Sequence, residues 1–311
     1  MKFNLYIACF LLLLGLFTSA CSQTQSKGEI QPGTRMQVVT TTSILKDAVE
    51  NIIGDAADVE SIMGSGVDPH LYKATQGDLK KLTDADVIVY NGLHLEGKMG
   101  EVLEKLARQK TVVAATAGIP EGQLRRSPQF QDSHDPHVWF DVQLWQQVVK
   151  HLSQELQQKD PANAKVYQQN TEAYLKKLDE LDSWVGQEIS SIPEKQRILI
   201  TAHDAFGYFG DAYNIQVRGL QGISTVSEFG LQDVASLVNF IVTNKIKAVF
   251  VESSVSPKSI EAVVIGSEQK GHQVQVGGTL YSDALGEEGT PEGTYSGMVR
   301  HNVNSMVSSL R

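Results

Sequence analysis

The chain has 311 residues, 41% of them hydrophobic, and carries 27 Lys and Arg against 36 Asp and Glu, a net charge of −9. An acidic surface argues against a nucleic acid as partner. Of the two cysteines, Cys9 falls inside an N-terminal apolar segment, so processing there would leave only Cys21 and no internal disulfide.

Lys2 is followed by an apolar run from Leu5 to Phe17 and then by Thr18-Ser19-Ala20-Cys21. That run is too short to span a bilayer and has the flanks of a signal peptide. The expectation is a signal peptide over 1–20 and acylation at Cys21, with Thr18 standing where a bacterial lipobox usually has leucine. Residues 21–33, rich in Ser, Gln and Gly, read as a flexible tether.

The remainder exceeds what one core usually serves, so two domains are expected. Short β-branched runs, Met36 to Thr42, Val59 to Met63, Val87 to Asn91, Thr111 to Ala115, Arg197 to Ala202, Lys247 to Glu252 and Gln273 to Val276, alternate with amphipathic stretches such as Ser43 to Ile53, Gln76 to Asp84 and Leu231 to Asn244. This pattern predicts an α/β fold of two lobes, each a mostly parallel sheet flanked by helices. The lobes are expected over 34–158 and 193–311, with a linker helix over 159–192. Within that linker, Asp160 as cap and Pro161 at the first turn begin a stripe through Tyr167, Tyr174, Leu178, Leu181, Val185 and Ile189. Such a helix, lying midway between two α/β halves, reads as a strut.

Two glycine loops fail as nucleotide sites. Gly64-Ser65-Gly66 has Pro69 at the sixth position of a dinucleotide fingerprint, and the Gly266 to Gly271 loop has His272 where a phosphate-binding lysine belongs. No Gly-x-Ser-x-Gly elbow occurs either.

Asp68-Pro69-His70 and Asp135-Pro136-His137 are copies of one tripeptide. Proline fixes its own φ and pushes the preceding residue into an extended conformation, so each histidine sits on a stiff turn. His203 follows the apolar run Ile198 to Ile200, and Asp283 follows Leu280-Tyr281-Ser282. Three imidazoles and a carboxylate at the mouths of parallel sheets suit a transition metal, though single histidines are more often structural. From the residues alone both readings stand for His70, His137 and His203. His94, His151, His272 and His301 read as structural or surface residues, and His134 as supporting or exposed.

The words around these positions are Val67-Asp68-Pro69-His70-Leu71-Tyr72, His134 to Asp141, Thr201-Ala202-His203-Asp204-Ala205-Phe206-Gly207 and Leu280-Tyr281-Ser282-Asp283-Ala284-Leu285-Gly286. In this order they resemble the zinc- and manganese-binding lipoproteins of bacterial ABC importers, the TroA, ZnuA and PsaA group, and the TroA-like branch above all. The resemblance spans the region after the leader. It implies two α/β lobes joined by one long helix, a Zn²⁺ or Mn²⁺ cargo in the cleft, and His70, His137, His203 and Asp283 as its ligands. It further implies an extracytoplasmic, lipid-anchored receptor, expected as a monomer, serving a membrane permease with a separate ATPase, and no catalysis. His203 stands where manganese-selective members have glutamate, and Thr116 to Ser133 lacks the His-rich loop of many zinc receptors. A secreted zinc-dependent hydrolase, with Asp204 or Glu228 as base, and an adhesin are the alternatives. Free imidazoles near pKa 6.5 would set metal loss between about pH 6 and 5.

Overall fold

The computed structural model describes residues 35–127 and 133–311. The leader, the tether and Cys21 lie outside the described residues.

In the N-terminal half, β1 (Met36–Thr40), β2 (Ala57–Ser61), β3 (Val87–Tyr90) and β4 (Thr111–Ala114) form one parallel sheet ordered β2-β1-β3-β4. Alternate side chains go to opposite faces. Met36, Val38, Val87 and Val89 enter one apolar cluster, which includes α1 (Ser43–Ile53), while Val39 and Ile88 enter another, under α2 (Gln76–Asp84) and α3 (Gly100–Ala107). Burial on both faces is why these strands read as unbroken apolar runs.

The C-terminal half repeats the parallel arrangement in two strand pairs. One joins β5 (Ile198–His203) to β6 (Gln216–Gln221), the other β7 (Ala248–Glu252) to β8 (Gln275–Leu280), and β5 lies against β7. The sequence suggests a strand ending at Val276, but β8 continues through Gly277 and Gly278 to Leu280. The glycine pair is a β-bulge: the ladder slips between Val249 and Val251, and Gly278 takes φ +135°. A Cβ on Gly277 would lie 2.7 Å from the Phe250 ring, so glycine is what lets the strand pass.

α4 (Val142–Lys159) and α5 (Ala164–Ser190) are the long helices. α5 begins three residues later than the Asp160-Pro161 signal suggests. Asp160 closes α4 instead, its N–H bonded to the Leu156 carbonyl, and its carboxylate accepts Asn163 Nδ2 and the Tyr167 hydroxyl at 2.7 Å each. The 27 residues of α5 span about 40 Å. Its stripe from Tyr167 to Ile189 is buried in one cluster with Val38 and Val89 of the first sheet and Leu199 and Phe250 of the second. Removing one of these side chains, as in Leu178→Ala, would cost about 2–5 kcal/mol. The chain continues through α6 (Gly207–Tyr213), α7 (Leu231–Asn244), α8 (Lys258–Gln269) and α9 (Tyr295–Leu310). No described helix is long and apolar enough to cross a membrane.

Candidate metal centre

The carboxyl ends of the parallel strands in both halves face one another, and there the chain brings His70, His137, His203 and Asp283 together. One ligand atom from each lies within 4.8 Å of the other three, and all four residues are buried. His203 is the last residue of β5, and Asp283 follows β8 by three positions.

The twin tripeptides form twin turns. Asp68 Oδ1 accepts the backbone N–H of His70 at 2.8 Å, and Asp135 Oδ1 accepts that of His137 at 3.0 Å. Asparagine-type turns of this kind fix the residue two places on. Asp135 also lies 2.7 Å from His137 Nδ1, and the Tyr208 hydroxyl donates to its carbonyl. Glu252 does the same for His203: Oε1 accepts the backbone N–H at 2.8 Å, and Oε2 lies 2.5 Å from Nδ1. With a carboxylate oxygen beside each Nδ1, Nε2 is the atom each ring turns to the centre.

Across the resulting cage, His70 Nε2 lies 3.3 Å from His137 Nε2, and both oxygens of Asp283 face imidazoles, Oδ1 at 3.4 Å from His137 Nε2 and Oδ2 at 3.5 Å from His203 Nε2. A tetrahedron of ligands about 2.0–2.1 Å from a central ion has edges of about 3.3–3.4 Å. Asp283 Oδ1 and His203 Nε2 are also buried without hydrogen-bond partners among the described residues. Such groups are costly unless something fills the space between them.

The four side chains and their carboxylate partners shift one another's titration strongly. Burial alone would lower His137, but the Asp135 and Asp283 carboxylates outweigh it and raise its pKa to about 9. Burial likewise opposes charge on His203, and Glu252 with Asp283 raises it well above its usual value. Burial would raise Asp283, yet the His203 and His137 imidazoles hold it well below the carboxylate range. Burial, helped by the His137 and His203 rings, outweighs the Asp283 carboxylate at His70 and pushes it to about 3.

The other histidines sit elsewhere. His94 and His134 line a cavity of about 770 Å³ in front of His70, with Ile223 and Val226 on its other wall. His272 Nε2 and His301 Nε2 contact the Ile246 and Thr279 carbonyls, and His151 packs on Gly118. Glu228 is exposed, and Asp204, whose pKa burial and Asp135 raise, is not in the four-residue group.

Sequence reasoning gave no role to Asp135, Glu252 or Glu96. A carboxylate two positions before a ligand, and another ending the apolar strand Val249 to Val251, were the available signals. Glu96 is buried at the base of the 91–94 loop, accepting the Thr41 hydroxyl at 2.6 Å and the Asn91 N–H at 2.7 Å. Asn91 Nδ2 then donates to the Pro136 carbonyl at 3.0 Å, bracing the turn that carries His137.

Residues 38–309 match the family described as zinc-uptake complex component A, periplasmic. Among similar curated proteins, the manganese-binding lipoprotein MntA of Bacillus subtilis is 52% identical over 277 residues, covering 89% of this chain and 90% of its own length. The zinc-binding protein TroA of Treponema pallidum is 45% identical over 304 residues, covering 98% of each chain. The solved structure of the T. pallidum periplasmic zinc-binding protein TroA superposes with a TM-score of 0.87 at 46% identity, covering 89% of this chain and 99% of that one.

Proposed function

The chain belongs to the zinc-uptake complex component A family, and from that membership we propose that it is an extracytoplasmic receptor of an ABC importer, binding Zn²⁺ or Mn²⁺ in the cleft and delivering it to a membrane permease driven by a separate ATPase. The ion is cargo, and the protein performs no chemistry on it. His70, His137, His203 and Asp283 are the ligands in this reading. The observation that carries it is that one buried ligand atom from each of the four residues lies within 4.8 Å of the others, with the His70 and His137 Nε2 atoms 3.3 Å apart and an Asp283 oxygen 3.4 Å from His137 and another 3.5 Å from His203, close enough for one divalent ion to reach all four.

Three imidazoles and one carboxylate favour zinc by ligand type, and zinc exceeds manganese at almost any nitrogen-containing site. The relatives are named for both metals, manganese for MntA and zinc for TroA. Four protein ligands fill a tetrahedral shell, which a hydrolytic metal site must leave open. We take 34–158 and 193–311 as the lobes that close on the ion, 159–192 as the connector, Cys21 as a lipid anchor, and the receptor as a monomer.

Elemental analysis of protein purified without added metal, followed by Zn²⁺ and Mn²⁺ competition, tests the reading. It predicts one divalent ion per chain, with zinc displacing manganese. Protein that takes up neither ion would overturn it.

A further inference from the structure

The cavity in front of His70 has the wrong charge for a bare cation. Lys98, His94, His134, Ser224 and Ser227 line it, and among the described residues no carboxylate does, although the chain carries a net charge of −9. The side chains of Lys98, His94 and His134 make no hydrogen bond or ion pair among the described residues, so three uncommitted donors share one space. Its volume of about 770 Å³ is that of a pocket for a small molecule. An ion held by the four cage residues needs none of it.

Both walls of the cavity are held in place. Leu93 at φ +50° and His94 at φ +65° are successive non-glycine residues in the left-handed region, a strained pair of the kind that persists at ligand clamps. Glu96 secures their loop by accepting the Asn91 and Gly92 N–H groups at 2.7 and 3.3 Å. On the other wall, Gln221 Nε2 donates to the Thr225 and Ser227 carbonyls at 2.6 and 2.5 Å, which fixes the serine loop after β6.

We propose that this cavity receives an anionic metal chelate, a small polycarboxylate arriving with the cargo ion, so that the receptor loads from the complex as well as from the free ion. This rests on the ligand reading above. Lys98 attracts the carboxylates, and imidazole N–H groups and serine hydroxyls donate to them. The ion then faces His70, the cage residue that lines the cavity. Each bond from the ion to a chelator oxygen that breaks is replaced by one to a cage ligand, and displaced imidazole protons leave to solvent. The anion stays at Lys98 until solvent takes it. A bare dication would instead be steered by an acidic mouth, because the field at a cleft selects the sign of charge that enters.

Zinc citrate serves as the probe. Stopped-flow fluorescence, with Trp139 beside His137 as reporter, follows loading at one fixed free Zn²⁺ concentration while zinc citrate is raised. The wild-type rate is expected to rise in proportion to the complex. Lys98→Glu is expected to lower that slope about 2- to 30-fold, twice the worth of an exposed ion pair, without slowing loading from citrate-free Zn²⁺. Lys105→Glu makes the same charge change on α3 outside the cavity and is expected to keep the wild-type slope. A rate set by free Zn²⁺ alone would overturn the proposal while leaving the ligands standing. A slope unchanged in Lys98→Glu would overturn it too, and so would one lowered equally in Lys105→Glu, which assigns the effect to net charge. A wild type that fails to load from citrate-free Zn²⁺ would overturn the ligand reading itself, and this proposal with it.

Discussion

Thr225 and Asp68 meet across the cleft: the Thr225 hydroxyl donates to Asp68 Oδ2 at 2.7 Å. The other oxygen of Asp68 accepts the His70 N–H, so a residue of the C-terminal half braces the turn that carries an N-terminal ligand. The residues flanking Thr225, Ser224 and Val226, line the cavity in front of His70. The bond therefore ties the two halves together beside that cavity.

Thr225→Val removes the donor with little change in shape and leaves a largely buried carboxylate oxygen short of a partner, at about 1–3 kcal/mol. The expected result is release about 5- to 150-fold faster in a chelator chase. Trp139, whose ring packs 5.2 Å from that of His137, gives a fluorescence signal for the measurement. A release rate equal to wild type would show that this bond plays no part in holding the ion.

Alanine at His70, His137, His203 or Asp283 is expected to weaken Zn²⁺ binding by at least about a hundredfold, since each removes one of four ligands and exposes buried polar partners. Alanine at His94, His151, His272 or His301 is expected to leave affinity within about twofold, because none lies in the cage. Glu252→Gln, which disturbs only the support of His203, belongs between these groups, at about 10–100-fold. Calorimetric titration ranks the variants, and wild-type affinity in His203→Ala or Asp283→Ala would refute the ligand set.

The pH dependence differs from that of free imidazoles. In the ion-free cage His137 is raised to about 9 and His203 well above its usual value, so both hold protons at neutral pH. A divalent ion must displace them, and the exchange of two protons for one M²⁺ leaves the net charge of the cage unchanged. Apparent affinity should therefore fall already below about pH 9, steepening to about a hundredfold per pH unit where both protons compete, rather than only between about pH 6 and 5. Calorimetry in buffers of different ionisation enthalpy should find close to two protons released per ion at pH 7. Zero proton release would contradict the raised imidazoles.

Asp47 gives a stability test away from the cage. Burial raises its carboxyl to about 6, against bonds from the Tyr295 backbone and the Tyr174 hydroxyl that favour the ionised form. A folded pKa above the unfolded 3.8 contributes stability that is fully present below 3.8 and lost as pH rises through about 6. Asp47→Asn should thus gain on wild type between those values, by up to about 3 kcal/mol. Urea unfolding at pH 4 and 7.5 measures the difference, and the same difference at both would count against the shift.

Most strands of both halves were legible because each is an apolar run buried on both faces, whereas the residues alone left His70, His137 and His203 open between structural and ligand roles and the set with Asp283 came from the resemblance of the surrounding words. β6 was not legible, since Gln216 to Gln221 carries Arg218 and Gly219 in place of such a run. Gly219 is there for close approach, as a Cβ would lie 2.5 Å from the Asp204 nitrogen beside His203. Nor could Asp160 be read rightly, because a carboxylate between two helical patterns suits either end. The partners of the ligands were hidden for a different reason. Glu252 pairs with His203 and Thr225 with Asp68 only after two strand pairs and two halves have packed, and no local spacing encodes that.

X-ray absorption at the zinc edge on the one-to-one complex tests the cage most directly. The geometry predicts about four light ligands at about 2.0–2.1 Å, with the multiple-scattering pattern of three imidazoles. A shell of six oxygens, or one showing a single imidazole, would contradict the assignment of His70, His137, His203 and Asp283.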